Sequence, residues 1–105
     1  MRILFDQGTP VPLRSHFSGH TVATAYERGW STLRNGELLA KAEAEFDLLV
    51  TTDRNLSRQQ NLKGRRISIL VLPTTSWPRL APAAAQIAAF AATMRPGQYE
   101  EFPPV

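Results

Sequence analysis

Several short apolar runs, too brief for helices and bounded by turn residues, constrain this chain more than any other feature. LLV at 48–50 and ISILVL at 67–72 are nearly continuous rather than alternating. A strand with one wet face alternates apolar and polar side chains, whereas a strand covered on both faces does not. These runs therefore predict strands inside a parallel sheet. Four are expected, at Arg2 to Phe5, Thr21 to Ala25, Leu48 to Thr51 and Ile67 to Leu72.

Helical patterns lie between them. Pro10 to Phe17 reads as a short first helix, and Gly36 to Glu45 as a second, with Asn35 as its N-cap and Leu38, Leu39 and Ala42 as its apolar stripe. Asn55 to Asn61 allows one or two turns. Pro78 to Met94 is alanine-rich, carries Ile87, Phe90 and Met94 at helical spacing, and is stopped by Arg95-Pro96-Gly97. Strands alternating with helices imply right-handed βαβ crossovers. The expected fold is a three-layer α/β/α sandwich with a mostly parallel sheet of about four to five strands. With 105 residues the chain has room for one domain, expected at 1–95. The tail at 96–105 shows no periodicity and is expected to be disordered or laid across the surface.

The acids fall at informative places. Asp6 ends ILFD and Asp53 ends LLVTTD, each directly after a strand. Ligands of open parallel sheets sit beyond the carboxyl ends of strands, where strand order reverses. Glu37, in the first turn of its helix, opens toward the same edge on this reading. Three such carboxylates repel one another unless a cation joins them, and hard oxygen donors suit Mg²⁺ or Mn²⁺. Each acid also has a plainer role: a strand-end Asp forms turns or caps, and an early-turn Glu favours the helix dipole. Asp47 precedes its strand and belongs to the opposite edge.

The order ILFDQGTP, GHTVATAYERGW and NGELLAKAEAEFDLLVTTDRNL resembles the small PIN-like proteins of the DUF5615 group, which are related to the nuclease-like domain also called Mut7-C. The resemblance spans approximately residues 1–72. It implies a PIN-like fold and a Mg²⁺- or Mn²⁺-dependent ribonuclease, with RNA as substrate. A role as the toxin of a toxin–antitoxin pair is also implied, with a small antitoxin protein as partner. By position Asp6 and Asp53 match the family's first-strand and T-x-D acids. The middle position departs: Asn35 stands where many relatives place Asp, leaving Glu37 as the acid of that turn. Asn55 stands where relatives often repeat an acid after Asp53. These two amides are assigned auxiliary places. Their lack of charge supports an alternative, a catalytically degenerate module that binds RNA or protein.

A net charge of +3, with ten arginines and two lysines, permits a polyanionic partner without requiring one. Arg54, Arg58 and Gln59 follow Asp53 closely and are the candidates for guiding a nucleic-acid strand toward the acids. Trp30 reads first as a packing or interface residue, with stacking on a base as its lesser alternative. His16 and His20 have no third convergent ligand and read as structural. Glu27, Glu43 and Glu45 read as surface charges. The absence of cysteine, a signal-like segment or a membrane-length apolar stretch points to a cytoplasmic protein with no membrane partner. The apolar terminal helix beside Trp77 suits a homodimer that would cover it. A receiver domain would need a lysine after its last strand, which VLPTTSWP lacks. A D-x-D phosphatase is disfavoured because Gln7-Gly8 follow Asp6.

Overall fold

A computed structural model describes residues 1–56, 62 and 64–105. Five strands form one parallel sheet in the order β2-β1-β3-β4-β5: β1 Arg2–Phe5, β2 Thr21–Thr24, β3 Leu48–Thr51, β4 Ser68–Val71 and β5 Tyr99–Glu101. α1 spans Asn35–Glu45, α2 Trp77–Leu80 and α3 Ala84–Thr93. Short 3-10 helices run over Val11–His16 and Ala81–Ala83. The result is the expected three-layer α/β/α sandwich.

The continuous apolar runs do what their pattern predicts. Alternate residues of β1, β3 and β4 point to opposite faces, and both faces are covered. Ile3, Phe5, Leu48, Val50 and Leu70 pack on one face with Leu13, Phe17, Leu80, Ala84, Ile87 and Ala91. Leu4, Leu49, Ile69 and Val71 pack on the other with Leu38, Leu39 and Ala42 of α1 and with Phe46 and Leu56. Truncating a fully buried leucine such as Leu49 or Leu70 costs about 2–5 kcal/mol in sites of this kind.

Four expectations need correction. The tail is not all unstructured: Tyr99–Glu101 pairs in parallel with β4, so the sheet reaches beyond residue 95. Gly97 makes this turn with a φ of +79°, and its N–H donates to the Arg66 carbonyl at 2.8 Å. The pairing covers an otherwise bare edge of β4, whose residues are buried. The terminal helix is interrupted, because Pro82 has no N–H to donate to the Pro78 carbonyl, and a 3-10 turn separates α2 from α3. Asn35 is the first residue of α1 rather than its N-cap; Arg34 occupies the cap without a side-chain bond.

The crossovers, lastly, do not share one hand. The β1–β2 connection crosses the face of the first 3-10 helix, and β2–β3 returns over the α1 face, which gives both the same hand. The β4–β5 connection steps in the β2–β3 direction but carries α3 over the opposite face, so its hand is reversed. The first 3-10 helix brings only Leu13 and Phe17 to that face, and α3 supplies the cover it lacks. The expected turns at Asn55 to Asn61 lie largely outside the described residues.

Candidate functional site

Strand order reverses between β1 and β3. From β1 the chain crosses to β2 on one side, then returns past β1 to build β3 on the other. The crevice beyond the carboxyl ends of these two strands is where an open α/β sheet places a ligand. Asp6 follows β1 directly, and Asp53 follows β3 by two residues. The pleat directs Phe5 and Val50 to the α3 face, and Thr51, in the next register position after Val50, to the α1 side.

A continuous chain of hydrogen bonds joins the two acids. The hydroxyl of Thr51, a residue with 0% exposure, donates to Asp6 Oδ2 at 2.7 Å and accepts the backbone N–H of Asp53 at 3.1 Å. Asn35 Nδ2 donates to Asp53 Oδ2 at 2.8 Å, and the Asn55 N–H donates to Asp53 Oδ1 at 2.9 Å, closing an Asx turn. The Gln7 N–H donates to Asp6 Oδ1 at 2.6 Å. Below them Thr9 is buried, its hydroxyl donating to the Val50 carbonyl at 2.9 Å, which pins the loop after β1 to β3. Gly8 completes the joint: a Cβ there would collide with Thr52 Oγ1.

Among the described residues, each donor that reaches an Asp6 or Asp53 carboxylate is neutral. Three glutamates elsewhere meet arginine. Glu27 accepts two bonds from Arg14, at 2.8 and 3.2 Å; Glu45 pairs with Arg28; Glu43 pairs with Arg65 at 2.9 Å and also accepts the Arg66 N–H at 2.8 Å. The Arg14 guanidinium, joined by the Thr24 N–H, holds Glu27 below its ordinary carboxyl value. The Arg66 N–H, with Arg65, does so for Glu43, and Arg28 does so for Glu45.

The remaining sequence candidates divide clearly. Glu37 lies in the first turn of α1 and is exposed. Asn35 is the residue of that turn that reaches Asp53, and positions two apart on a helix do not face the same way. Among the described residues no three His, Asp or Glu side chains stand close enough to share a metal ion, so the expected three-acid cluster is not formed. Asn55 acts through its backbone and is exposed, and Arg54 beside it is exposed. Arg58 and Gln59 lie outside the described residues. Trp30 meets Phe46 edge-on, with ring centroids 6.1 Å apart, and Arg28 lies 4.7 Å over its ring, which occupies it in packing. His20 Nδ1 contacts the N-terminal ammonium at 2.9 Å. Asp47 accepts the Arg2 N–H at the opposite edge, as expected.

Thr51 is the site residue that sequence reasoning passed over. The T-x-D spacing was its only signal, because a threonine at the end of an apolar strand otherwise reads as a β-former.

A depression of about 620 Å³ lies away from this site. It opens at the amino edge of the sheet between Arg2, Glu43, Glu45, Asp47, Arg66 and Met94. Its three carboxylates are already engaged by arginine or backbone N–H groups. Position at the switch point, and the lack of a charged partner among the described residues, therefore favour the carboxyl edge. No helix among the described residues is long and apolar enough to cross a membrane.

The donor set fits a hard divalent cation. Mg²⁺ keeps most of its waters and is commonly held by one or two carboxylates together with substrate phosphate. Asp6 and Asp53 would supply those carboxylates, since an oxygen that accepts one hydrogen bond retains a second lone pair. Comparison of the chain with protein-family models, curated proteins and solved structures finds no match in any of the three.

Proposed function

We propose that the chain hydrolyses phosphodiester bonds of RNA with Mg²⁺ or Mn²⁺ held by Asp6 and Asp53. The observation that carries this reading is the Asp6–Thr51–Asp53 chain at the switch point, which gathers two carboxylates whose donors among the described residues are all neutral. A bound ion would supply an activated water and stabilise charge on the phosphate. The protein's part is to hold the acids in place. Thr51 orients Asp6, and Asn35 and the Asn55 N–H orient Asp53. The N-terminal end of α1, at Asn35, adds a favourable dipole for anionic groups. Glu37 is left to act through water. The toxin role, with an antitoxin partner, belongs to the same proposal and rests on the family resemblance.

The test is RNA cleavage with Mn²⁺ by wild type beside Asp6→Asn and Asp53→Asn, all purified identically. Loss in both variants is expected. Equal cleavage by all three proteins would mark a contaminating nuclease and remove the assignment.

A second reading, a non-catalytic RNA- or protein-binding module, is favoured by one feature. Asn35 and Asn55 bring Asp53 neutral donors where further acids would strengthen a metal site. Titration with Mn²⁺ followed by calorimetry separates the two, since saturable binding that needs Asp53 counts against the module.

A further inference from the structure

Tyr26 is 82% exposed, the most exposed large apolar side chain among the described residues. Only Val11 and the terminal Val105 accompany it in that class. Tyr26 and Val11 belong to segments that are clamped together. Thr24-Ala25-Tyr26-Glu27 forms a reciprocal capping box: the Glu27 N–H donates to Thr24 Oγ1 at 3.0 Å, and the Thr24 N–H donates to Glu27 Oε1 at 2.9 Å. Arg14, three residues beyond Val11 in the first 3-10 helix, then grips Glu27 through both guanidinium nitrogens. The turn is closed further by the Arg28 N–H on the Thr24 carbonyl and the Gly29 N–H on the Tyr26 carbonyl. A turn fastened this firmly would ordinarily serve to bury its aromatic residue. Here it holds the ring out in solvent.

The ring's place in the fold gives that exposure a use. β2 lies beside β1, Thr24 is level with Phe5, and the Ala25 N–H donates to the Phe5 carbonyl at 2.8 Å. Tyr26 therefore follows β2 at the same edge where Asp6 follows β1, about one strand spacing of roughly 5 Å away along the sheet. On the other flank Arg34 precedes α1 and Arg54 follows Asp53; both are exposed, and neither forms an ion pair with another described residue. The edge thus runs from an aromatic platform, past two carboxylates, to two guanidinium groups.

We propose that Tyr26 stacks on a nucleobase of a single-stranded nucleic acid whose phosphates run past Asp6 and Asp53 toward Arg34 and Arg54. This rests on the phosphodiester reading above and gives Tyr26 the stacking role that was the lesser alternative for Trp30. Stacking on an exposed ring tolerates any base, so the substrate is defined by unpaired bases rather than by sequence.

The experiment measures binding apart from cleavage. Fluorescence anisotropy of a labelled short single-stranded RNA is followed in EDTA for wild type, Tyr26→Ala and Tyr26→Phe, with an abasic sugar–phosphate strand of equal length as the control. Tyr26→Ala should weaken RNA binding about tenfold, and Tyr26→Phe should stay close to wild type. Wild type should prefer RNA to the abasic strand, and Tyr26→Ala should not. Because Tyr26 is exposed, all three proteins should melt together. Unchanged binding in Tyr26→Ala, equal loss on both strands, or no RNA binding by wild type overturns the proposal. If Asp53→Asn abolishes Mn²⁺-dependent cleavage while Tyr26→Ala binds as wild type, the stacking inference fails and the hydrolytic reading stands. If wild type cleaves nothing but Tyr26→Ala still loses binding, the converse holds.

Discussion

The two ends of the sheet treat negative charge in opposite ways. At the amino edge Glu43 and Glu45 are answered by Arg65 and Arg28, Asp47 accepts a backbone N–H, and a depression of about 620 Å³ lies among them. At the carboxyl edge Asp6 and Asp53 are held as firmly, but by a threonine hydroxyl, an asparagine amide and backbone N–H groups. Neutral donors orient a carboxylate without cancelling its charge. Depth of a cleft is therefore a poorer guide to chemistry here than the account of which charges already have partners.

The comparison breaks most visibly if charge is removed at either end in turn. Asp53→Asn keeps the size of the side chain and deletes one of the two charges available to a cation. A drop of about 10²-fold or more in Mn²⁺-dependent cleavage is expected, the scale of losing a principal electrostatic contact in a hydrolytic site. Asp47→Asn at the amino edge should leave cleavage unchanged. Comparable losses in both would dissolve the distinction between the ends. Glu37→Gln should lower cleavage far less than Asp53→Asn, since Asn35 is the residue of that turn that reaches Asp53 and Glu37 is exposed.

Orientation can be tested with charge left intact. Thr51→Val preserves shape in a fully buried place but removes the hydroxyl that serves Asp6 and the Asp53 N–H together. A stability loss of about 1–3 kcal/mol in urea unfolding is expected, with weaker Mn²⁺ binding alongside it. Thr51→Ser should restore most of the metal affinity. Gly8→Ala acts on the same joint through space rather than through a bond. Its new Cβ would collide with Thr52 Oγ1 and lie 3.5 Å from Thr75 Cγ2, so the loop after β1 must shift, at about 1 kcal/mol. If Gly8→Ala is neutral in unfolding and in Mn²⁺ titration, the loops are looser than their contacts imply.

The parallel sheet was legible because burial on both faces writes itself as continuous apolar runs, and ISILVL and LLV are such runs. Asp6 and Asp53 were legible because each directly follows one. β5 was not, since YEE is polar and pairs only through its backbone with a neighbour some thirty residues back, across a turn made by Gly97. The reversed hand of the last crossover was hidden for a related reason: the choice of face for α3 depends on which face the short first 3-10 helix leaves bare. Thr51 carries no charge, so a search for acids passes over it, and the equally neutral Asn35 was reached only through the family resemblance, although the two join and orient the site. The reach of Glu37 was not legible, because a first-turn acid says nothing about the direction in which its helix presents it.

The amino edge should respond to pH in a way that sharpens the contrast. Glu43 and Glu45 have folded values below their ordinary 4.5, because the Arg66 N–H with Arg65, and the Arg28 guanidinium, favour their charged forms. A depressed carboxylate contributes stability that is complete above the unfolded value and is lost as pH falls through the folded one. Urea midpoints measured downward from neutral pH should thus hold steady to about pH 5 and then decline. Glu43→Gln should flatten part of that decline. Both carboxyls face partly into solvent, so the contribution should be small and should shrink further in high salt. A Glu43→Gln curve that runs parallel to wild type throughout would mean that Arg65 and the Arg66 N–H merely accompany this carboxylate. The amino edge would then lack the charge compensation that sets it apart from the carboxyl edge.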